Sequence, residues 1–131
     1  MPIERSLVNI ALWIAAGLLA VGYVGAGLLK ATQPREKLRA NMPWVDDFSA
    51  GTVRFIGTTQ LLGAVGLILP WATGIAPVLT PVAATGLVVT QVLAIGVHVR
   101  RGETGGRLAV NVVLLLLALF VAVGRFAGWG A

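Results

Sequence analysis

The stretch from Arg54 to Pro70 reads RFIGTTQLLGAVGLILP, and it decides the fold. After Arg54 it contains no further charge, and Gln60 is its one amide. Gly57, Gln60 and Ala64 lie three or four residues apart, and Gly63 falls beside them, so all four share one side of a helix. An amide among small residues in an apolar run indicates a membrane helix that packs closely against protein, because small residues let two backbones approach.

The same apolar character extends along the whole chain. Of the 131 residues, 57% are hydrophobic and 11% are charged, which is far from the balance of soluble domains. Four apolar spans, over residues 7–29, 51–70, 75–98 and 108–126, each approach the roughly 20 residues that cross a bilayer. We therefore predict an all-α fold, with residues 1–131 forming one four-helix transmembrane domain. A soluble helical core is the alternative, which the nearly unbroken apolar runs disfavour.

The composition also excludes several classes of function. The first span is too long for the apolar region of a signal peptide and is expected to be retained. The chain has no cysteine, which excludes a dithiol relay, disulfides and thiolate metal sites. Its net charge of +5 comes from short segments beside the spans, so we expect the bilayer as partner and no nucleic acid. One histidine and no carboxylate cluster predict no haem and no metal.

The basic residues predict the orientation. Eight of them lie in or beside the segments 31–49 and 99–107: Lys30, Arg35, Lys37, Arg39, Arg54, Arg100, Arg101 and Arg107. The positive-inside rule then places both segments in the cytoplasm and both termini outside, in a multi-pass protein of the cell membrane. Segment 31–49 is expected to lie at the interface, with a short helix at 34–40 and Trp44 at headgroup depth. A lid over a site between the helices is the alternative.

Polar and small residues form a stripe along each of the other spans. The first stripe comprises Asn9, Trp13, Ala16, Ala20, Tyr23, Gly27 and Lys30, with Leu12, Leu18, Leu19, Val21, Leu28 and Leu29 mostly elsewhere. The third span carries Thr80, Ala84, Leu87, Gln91, Ala94 and His98 on one face, and the fourth carries Asn111, Leu115, Ala118, Ala122 and Arg125. These faces are predicted to pack against one another, either within one bundle or across a dimer.

Three hydrogen-bonding side chains are predicted at one depth, namely Tyr23, Gln60 and Gln91. We expect them to form the polar floor of a ligand pocket, with a basic mouth contributed by Lys30, Arg54 and His98. Asn111, near the same end of its helix, is a further candidate for ligand binding. The alternatives are that the two glutamines only bond each other, that Lys30 snorkels to the interface, and that His98 is merely interfacial. Because no acidic residue falls within a span, a proton-coupled antiporter is disfavoured.

Longer segments of the chain resemble a known family. The run RFIGTTQLLGAVGLILPWATGIAPVLTPVAATGLVVTQVLAIGVHVRRGE, preceded by GAGLLKATQP and followed by GRF, is similar to the DoxX-like branch of the DoxX family. The resemblance implies a small four-helix protein of the bacterial inner membrane. Relatives include the small subunit of a thiosulfate:quinone oxidoreductase, and others are associated with membrane redox or detoxification systems.

The family pattern matches a set of positions without giving any of them a catalytic role: Lys30, Pro34, Arg54, Gly57, Gly63, Pro70, Pro81, His98, Arg100, Arg101, Gly102 and Glu103. Two positions depart from it. The family commonly has glutamate where this chain has Gln60, and an apolar residue where it has Gln91.

The leading hypothesis is a protein that binds a lipophilic small molecule between its helices, with a quinone as the candidate cofactor. A second is a membrane-embedded isomerase or hydrolase, with His98 or Tyr23 as acid or base. A third is a structural subunit that joins a homo-oligomer or a membrane complex through its small-residue faces. A transporter or channel ranks below these, because the leucine-rich outer halves give no continuous polar path.

Overall fold

A computed structural model describes residues 2–40 and 42–130 of the chain. Within these residues the chain forms five α-helices and one 3-10 turn. They are α1 (Pro2–Thr32), α2 (Arg35–Leu38), the 3-10 turn (Pro43–Asp47), α3 (Ala50–Thr73), α4 (Leu79–Arg100) and α5 (Gly106–Phe126). The predicted spans fall within the four long helices, except that residues 75–78 precede α4.

The four long helices form a closed ring. Each packs against the helix that follows it, and α5 returns to pack against α1. Each is long and apolar enough to cross a bilayer. Large apolar side chains such as Val21, Leu62 and Val89 point outward and are exposed, as expected where lipid replaces water as the solvent. The predicted all-α four-helix bundle is confirmed.

The interior of the ring is a tightly packed apolar layer of small and aliphatic side chains. It includes Ala15, Ala16, Leu19, Tyr23, Ala64, Leu67, Ala84, Leu87, Ala118, Val121 and Ala122. The predicted stripes therefore face inward. The placement of Leu12 and Leu19 away from the packed face was wrong, since both are fully buried; an apolar side chain suits a protein interior as well as lipid.

Helices α1 and α3 cross in close contact at Gly27 and Gly57. A Cβ atom on Gly57 would lie 2.7 Å from the Gly27 carbonyl oxygen and 2.6 Å from the Ala31 nitrogen. A Cβ on Gly27 would lie 2.8 Å from the Gly57 carbonyl oxygen. Glycine is required on both sides of this crossing because any side chain would force the two backbones apart.

Pro70 does not end α3, which continues for three residues to Thr73. Proline lacks the N–H that would bond the carbonyl of Gly66, one turn earlier. The Thr80 hydroxyl of α4 donates to that carbonyl at 2.9 Å and accepts from the Trp71 N–H at 3.2 Å. The neighbouring helix thus satisfies the backbone groups near the proline, as membrane helices require. Gly74 follows the last helical residue and caps the helix with a left-handed φ of 73°.

The segment between α1 and α3 folds back onto the end of the bundle. Its short helix is confirmed, although it is limited to Arg35–Leu38. Leu38, Val45 and Val53 form a separate apolar cluster, against which Trp44 and Phe48 pack. This cluster anchors the segment above the ends of α1, α3 and α4.

Candidate ligand site at one end of the bundle

A cavity of about 450 Å³ opens beneath the folded-back segment, between α1, α3 and α4. Its lining combines three basic side chains, one amide, three aromatic rings and several apolar groups. The residues are Lys30, Trp44, Phe48, Phe55, Ile56, Thr59, Gln60, Thr90, Leu93, Ala94, Val97, His98 and Arg100. The volume lies in the range of small-molecule sites, about 300–1,000 Å³.

Lys30 lies in the last turn of α1 and points inward. Its Nζ donates to Gln60 Oε1 at 2.9 Å and lies 5.4 Å from the centre of the Trp44 ring. The interpretation of Lys30 as a snorkelling residue is therefore wrong: it is 8% exposed. An amide oxygen does not neutralise an ammonium group, and two of its three N–H donors remain for a ligand.

His98 lies in the last turns of α4 and is held by a carboxylate from the loop that follows. Gly102, at a φ of 72°, reverses the chain, and the Glu103 N–H donates to the His98 carbonyl at 2.9 Å. The Glu103 carboxylate then meets His98 Nδ1 at 2.5 Å. A proton on Nδ1 satisfies this contact, which leaves Nε2 as the ring nitrogen available to the cavity.

Glu103 is kept ionised by its neighbours. Two hydrogen bonds lower the pKa of the Glu103 carboxyl. The larger effect comes from the bond to His98, and the smaller from the bond that Arg101 Nε donates at 2.9 Å. An ionised carboxylate is the better acceptor for the imidazole N–H. The His98 ring is therefore fixed in orientation, in the way that catalytic and metal-binding histidines are usually held.

A polar bridge also fixes the folded-back segment to α4. Arg101 Nη1 donates to Asp47 Oδ2 at 2.9 Å. This hydrogen bond and, to a smaller extent, the one to Glu103 raise the pKa of Arg101. Trp44 and Phe48 contact each other edge to face, with ring centroids 5.7 Å apart, and both line the cavity. The segment thus covers the cavity, as the lid interpretation requires.

Tyr23 and Gln91 form a separate pair inside the bundle. Gln91 Nε2 donates to the Tyr23 hydroxyl, joining α1 to α4 across the ring. Gln91 Oε1 is buried without a hydrogen-bond partner. Neither residue lines the cavity. The alternative in which Gln60 and Gln91 satisfy each other is wrong, because Lys30 takes the first and Tyr23 the second.

The remaining predicted site residues lie apart from the cavity. Arg54 is exposed at the start of α3. The Asn111 amide donates to the Arg107 carbonyl of its own helix at 2.7 Å. The structure thus brings Lys30, Gln60 and His98 together, without Arg54 or Asn111.

The sequence interpretation did not assign to the site the aromatic residues Trp44, Phe48 and Phe55 or the basic residue Arg100, which line the cavity, or Glu103, which holds His98. Trp44 and Phe48 are four residues apart beside the acidic pair Asp46 and Asp47, a pattern that indicates an ordered turn with one aromatic face. For Glu103 the signal was the glycine before it, which permits the chain reversal.

The model of the DoxX-like family matches residues 14–121 of the chain. The chain belongs to the DoxX-like family. No curated protein and no solved structure matches it. The matched residues of this DoxX-like protein include every residue that lines the cavity, whereas Asn9, Trp13 and Arg125 at the other end lie outside them.

Proposed function

We propose that this DoxX-like membrane protein binds a lipophilic small molecule in the cavity beneath residues 43–48. A quinone is the candidate ligand, and a membrane redox or detoxification system is the setting. The observation that carries the proposal is the combination of the Lys30–Gln60 pair and the carboxylate-held His98 with aromatic and aliphatic walls.

The polar groups of the cavity suit a ligand whose head carries carbonyl or hydroxyl oxygens. Lys30 has N–H donors left for an acceptor oxygen, while His98 Nε2, with the Nδ1 proton directed at Glu103, can accept a hydrogen bond from a ligand hydroxyl. When bound, a quinone supplies reversible two-electron chemistry in which its oxygens take up and release protons. The protein residues would bind and orient it, and His98 would exchange a proton at Nε2 while Glu103 holds Nδ1.

The walls suit the rest of such a molecule. Trp44, Phe48 and Phe55 offer ring faces and edges to a flat head group. Ile56, Leu93 and neighbouring apolar groups continue the lining between α3 and α4. An apolar tail would leave the cavity between these helices and enter the lipid.

The test is a thermal-shift series in mild detergent with a short-chain quinone and an alkane of matched length. We expect only the quinone to raise Tm, because a ligand at about 100 times its Kd adds about 2.7 kcal/mol of stability. The Lys30→Met variant should lose the shift, whereas Lys37→Met, at an exposed position outside the cavity, should keep it. No shift with any quinone, or an equal shift in Lys30→Met, would reject the quinone site.

The pairing of His98 with Glu103 favours a second candidate, a membrane-embedded enzyme of the isomerase or hydrolase type. A carboxylate-oriented imidazole that faces a largely apolar cavity is an arrangement suited to a general base. His98 is a better candidate than Tyr23, which does not line the cavity. If the protein is such an enzyme, His98→Ala should abolish turnover of a lipophilic ester or enone while the protein remains folded, and Tyr23→Phe should preserve turnover. Unchanged turnover in His98→Ala would exclude this enzyme function.

We also propose that the cavity end lies on the cytoplasmic side, as the basic residues beside it predict. The chain has no native cysteine, so single substitutions report on sidedness without background. In intact cells an impermeant maleimide should label Ser6→Cys and spare Ser49→Cys. The reverse pattern would invert the topology.

A further inference from the structure

A second polar site lies at the end of the bundle opposite the cavity, around Arg125. This residue is in the last turn of α5 and is 5% exposed. Its Nη1 donates to Asn9 Oδ1 of α1 at 3.0 Å. Its Cζ lies 4.5 Å from the centre of the Trp71 ring of α3 and 5.5 Å from that of Trp13. Three helices therefore converge on one guanidinium group.

The charge of Arg125 is not neutralised by these contacts. Its polar contact is a neutral amide, and in the described parts of the chain the ion pairs involve other cations. A guanidinium has five N–H donors in its plane, of which Asn9 takes one. Indole rings stack on the face of the group and leave its N–H edge free.

The unused donors of Arg125 are not sealed inside the protein. Across the residues that the structure describes, Gln91 Oε1 is the one buried side-chain N or O atom without a partner. Arg125 is 5% exposed, and its remaining guanidinium nitrogens are therefore at least slightly accessible from outside the protein. A mostly buried guanidinium group with unused N–H donors is stabilised by a bound anion.

The depth of the site identifies the class of anion. Arg125 and Trp71 lie within two residues of the ends of α5 and α3. Asn9 is level with them, since its side chain accepts from Arg125. Helix α1, at 31 residues, is about 46 Å long and can extend past the roughly 30 Å hydrocarbon core. Tryptophan rings favour this interfacial level, where lipid phosphates lie.

We propose that Arg125 binds a phosphate oxyanion through its free N–H edge, and that an anionic lipid headgroup supplies it. Arginine matches phosphate because two parallel N–H groups meet two oxygens. Trp13 and Trp71 hold the guanidinium in place, and Asn9 orients it without competing for its charge. This site is distinct from the cavity and does not depend on the function proposed for it.

The decisive variant is Asn9→Asp, which places a carboxylate where the amide oxygen now lies. This change satisfies Arg125 within the protein, so it should stabilise the fold while excluding phosphate. The readout is native mass spectrometry of the full chain with equal amounts of phosphatidylglycerol and phosphatidylcholine. Arg5→Gln is the matched control, since Arg5 is an exposed cation at the same end.

We expect the wild type and Arg5→Gln to retain phosphatidylglycerol selectively. Asn9→Asp should lose about tenfold in this selectivity, because the charge-assisted hydrogen bond from Arg125 to the lipid phosphate is lost. Its Tm should be unchanged or higher. A parallel arm replaces the lipid with inorganic phosphate in lipid-free detergent. Stabilisation in that arm alone, absent in Asn9→Asp, supports the phosphate site with a free anion as its source. Unchanged selectivity in folded Asn9→Asp, or no response to either phosphate source, overturns the proposal.

Discussion

The crossing of α1 and α3 yields the sharpest prediction about stability. In Gly57→Ala the new Cβ would lie 2.6 Å from the Ala31 nitrogen and 2.7 Å from the Gly27 carbonyl oxygen, whereas ordinary contact begins at 3.4 Å. Both are backbone atoms that cannot rotate away. The helices must therefore separate by several tenths of an ångström along a tightly packed face.

The magnitude follows from two opposing effects. Overpacking of this kind costs about 1–3 kcal/mol, whereas replacing a helical glycine by alanine returns about 1 kcal/mol. We expect Gly57→Ala to lower the free energy of unfolding by up to about 2 kcal/mol, since the overpacking outweighs the gain in helix propensity. The new Cβ would also lie 2.7 Å from Lys30 Cβ, so the Lys30–Gln60 bond should lengthen, and the proposed binding of a quinone should weaken with it.

Equilibrium unfolding in mixed detergent micelles, followed by tryptophan fluorescence, measures this change. The control is Gly25→Ala, at an exposed position of α1 where a Cβ would meet nothing within 4 Å. That variant should be as stable as the wild type or more stable, because it gains helix propensity without a clash. Equal stability of Gly57→Ala and Gly25→Ala would refute the close crossing.

Three further predictions concern individual hydrogen bonds and ion pairs. Thr80→Val should lower the free energy of unfolding by about 1 kcal/mol, because it removes the hydrogen bonds near Pro70. Thr58→Val, which loses an exposed hydrogen bond within its own helix, should lower it much less. Equal losses of stability in the two variants would contradict this account. The pKa of the Glu103 carboxyl is lowered from 4.5 in the folded protein. The ionised carboxylate therefore stabilises the fold above pH 4.5, and this stabilisation is lost as the pH falls through the lower folded pKa. The difference in Tm between the wild type and Glu103→Gln should thus disappear in acid, and a difference that does not depend on pH would argue against the ion pair. Tyr23→Phe should be destabilising alone and be rescued by Gln91→Leu, since a buried pair replaced by apolar groups is nearly neutral; additive costs in a double-mutant cycle would exclude the coupling.

The inward faces of the helices could be predicted from the sequence because polar and small residues in lipid must face protein. This rule placed Gln60, Gln91 and Ala84 in the interior correctly. It gave no information about Leu12 and Leu19, because an aliphatic side chain gains little by choosing protein over lipid.

The pairing of the site residues could not be predicted. Helical periodicity gives the face and depth of a Cα atom, whereas Lys30 reaches Gln60 through a long flexible side chain. The cover over the cavity depends on tertiary contacts of Trp44 and Phe48. Arg125 has the same sequence signature whether it snorkels or is buried, and Trp13 and Trp71 meet beside it only after three helices have assembled.

The apolar layer in the middle of the bundle separates the two polar ends. Leu19, Leu67, Ala84, Ala118 and Val121 are each at most 1% exposed, so an ion following the bundle axis would have to shed its hydration with nothing to replace it, which costs many kcal/mol. The apolar layer therefore gives an ion no polar path along that axis. A ligand of the proposed cavity would therefore enter and leave at that end of the bundle, because the packed layer leaves it no polar path along the axis to the other end.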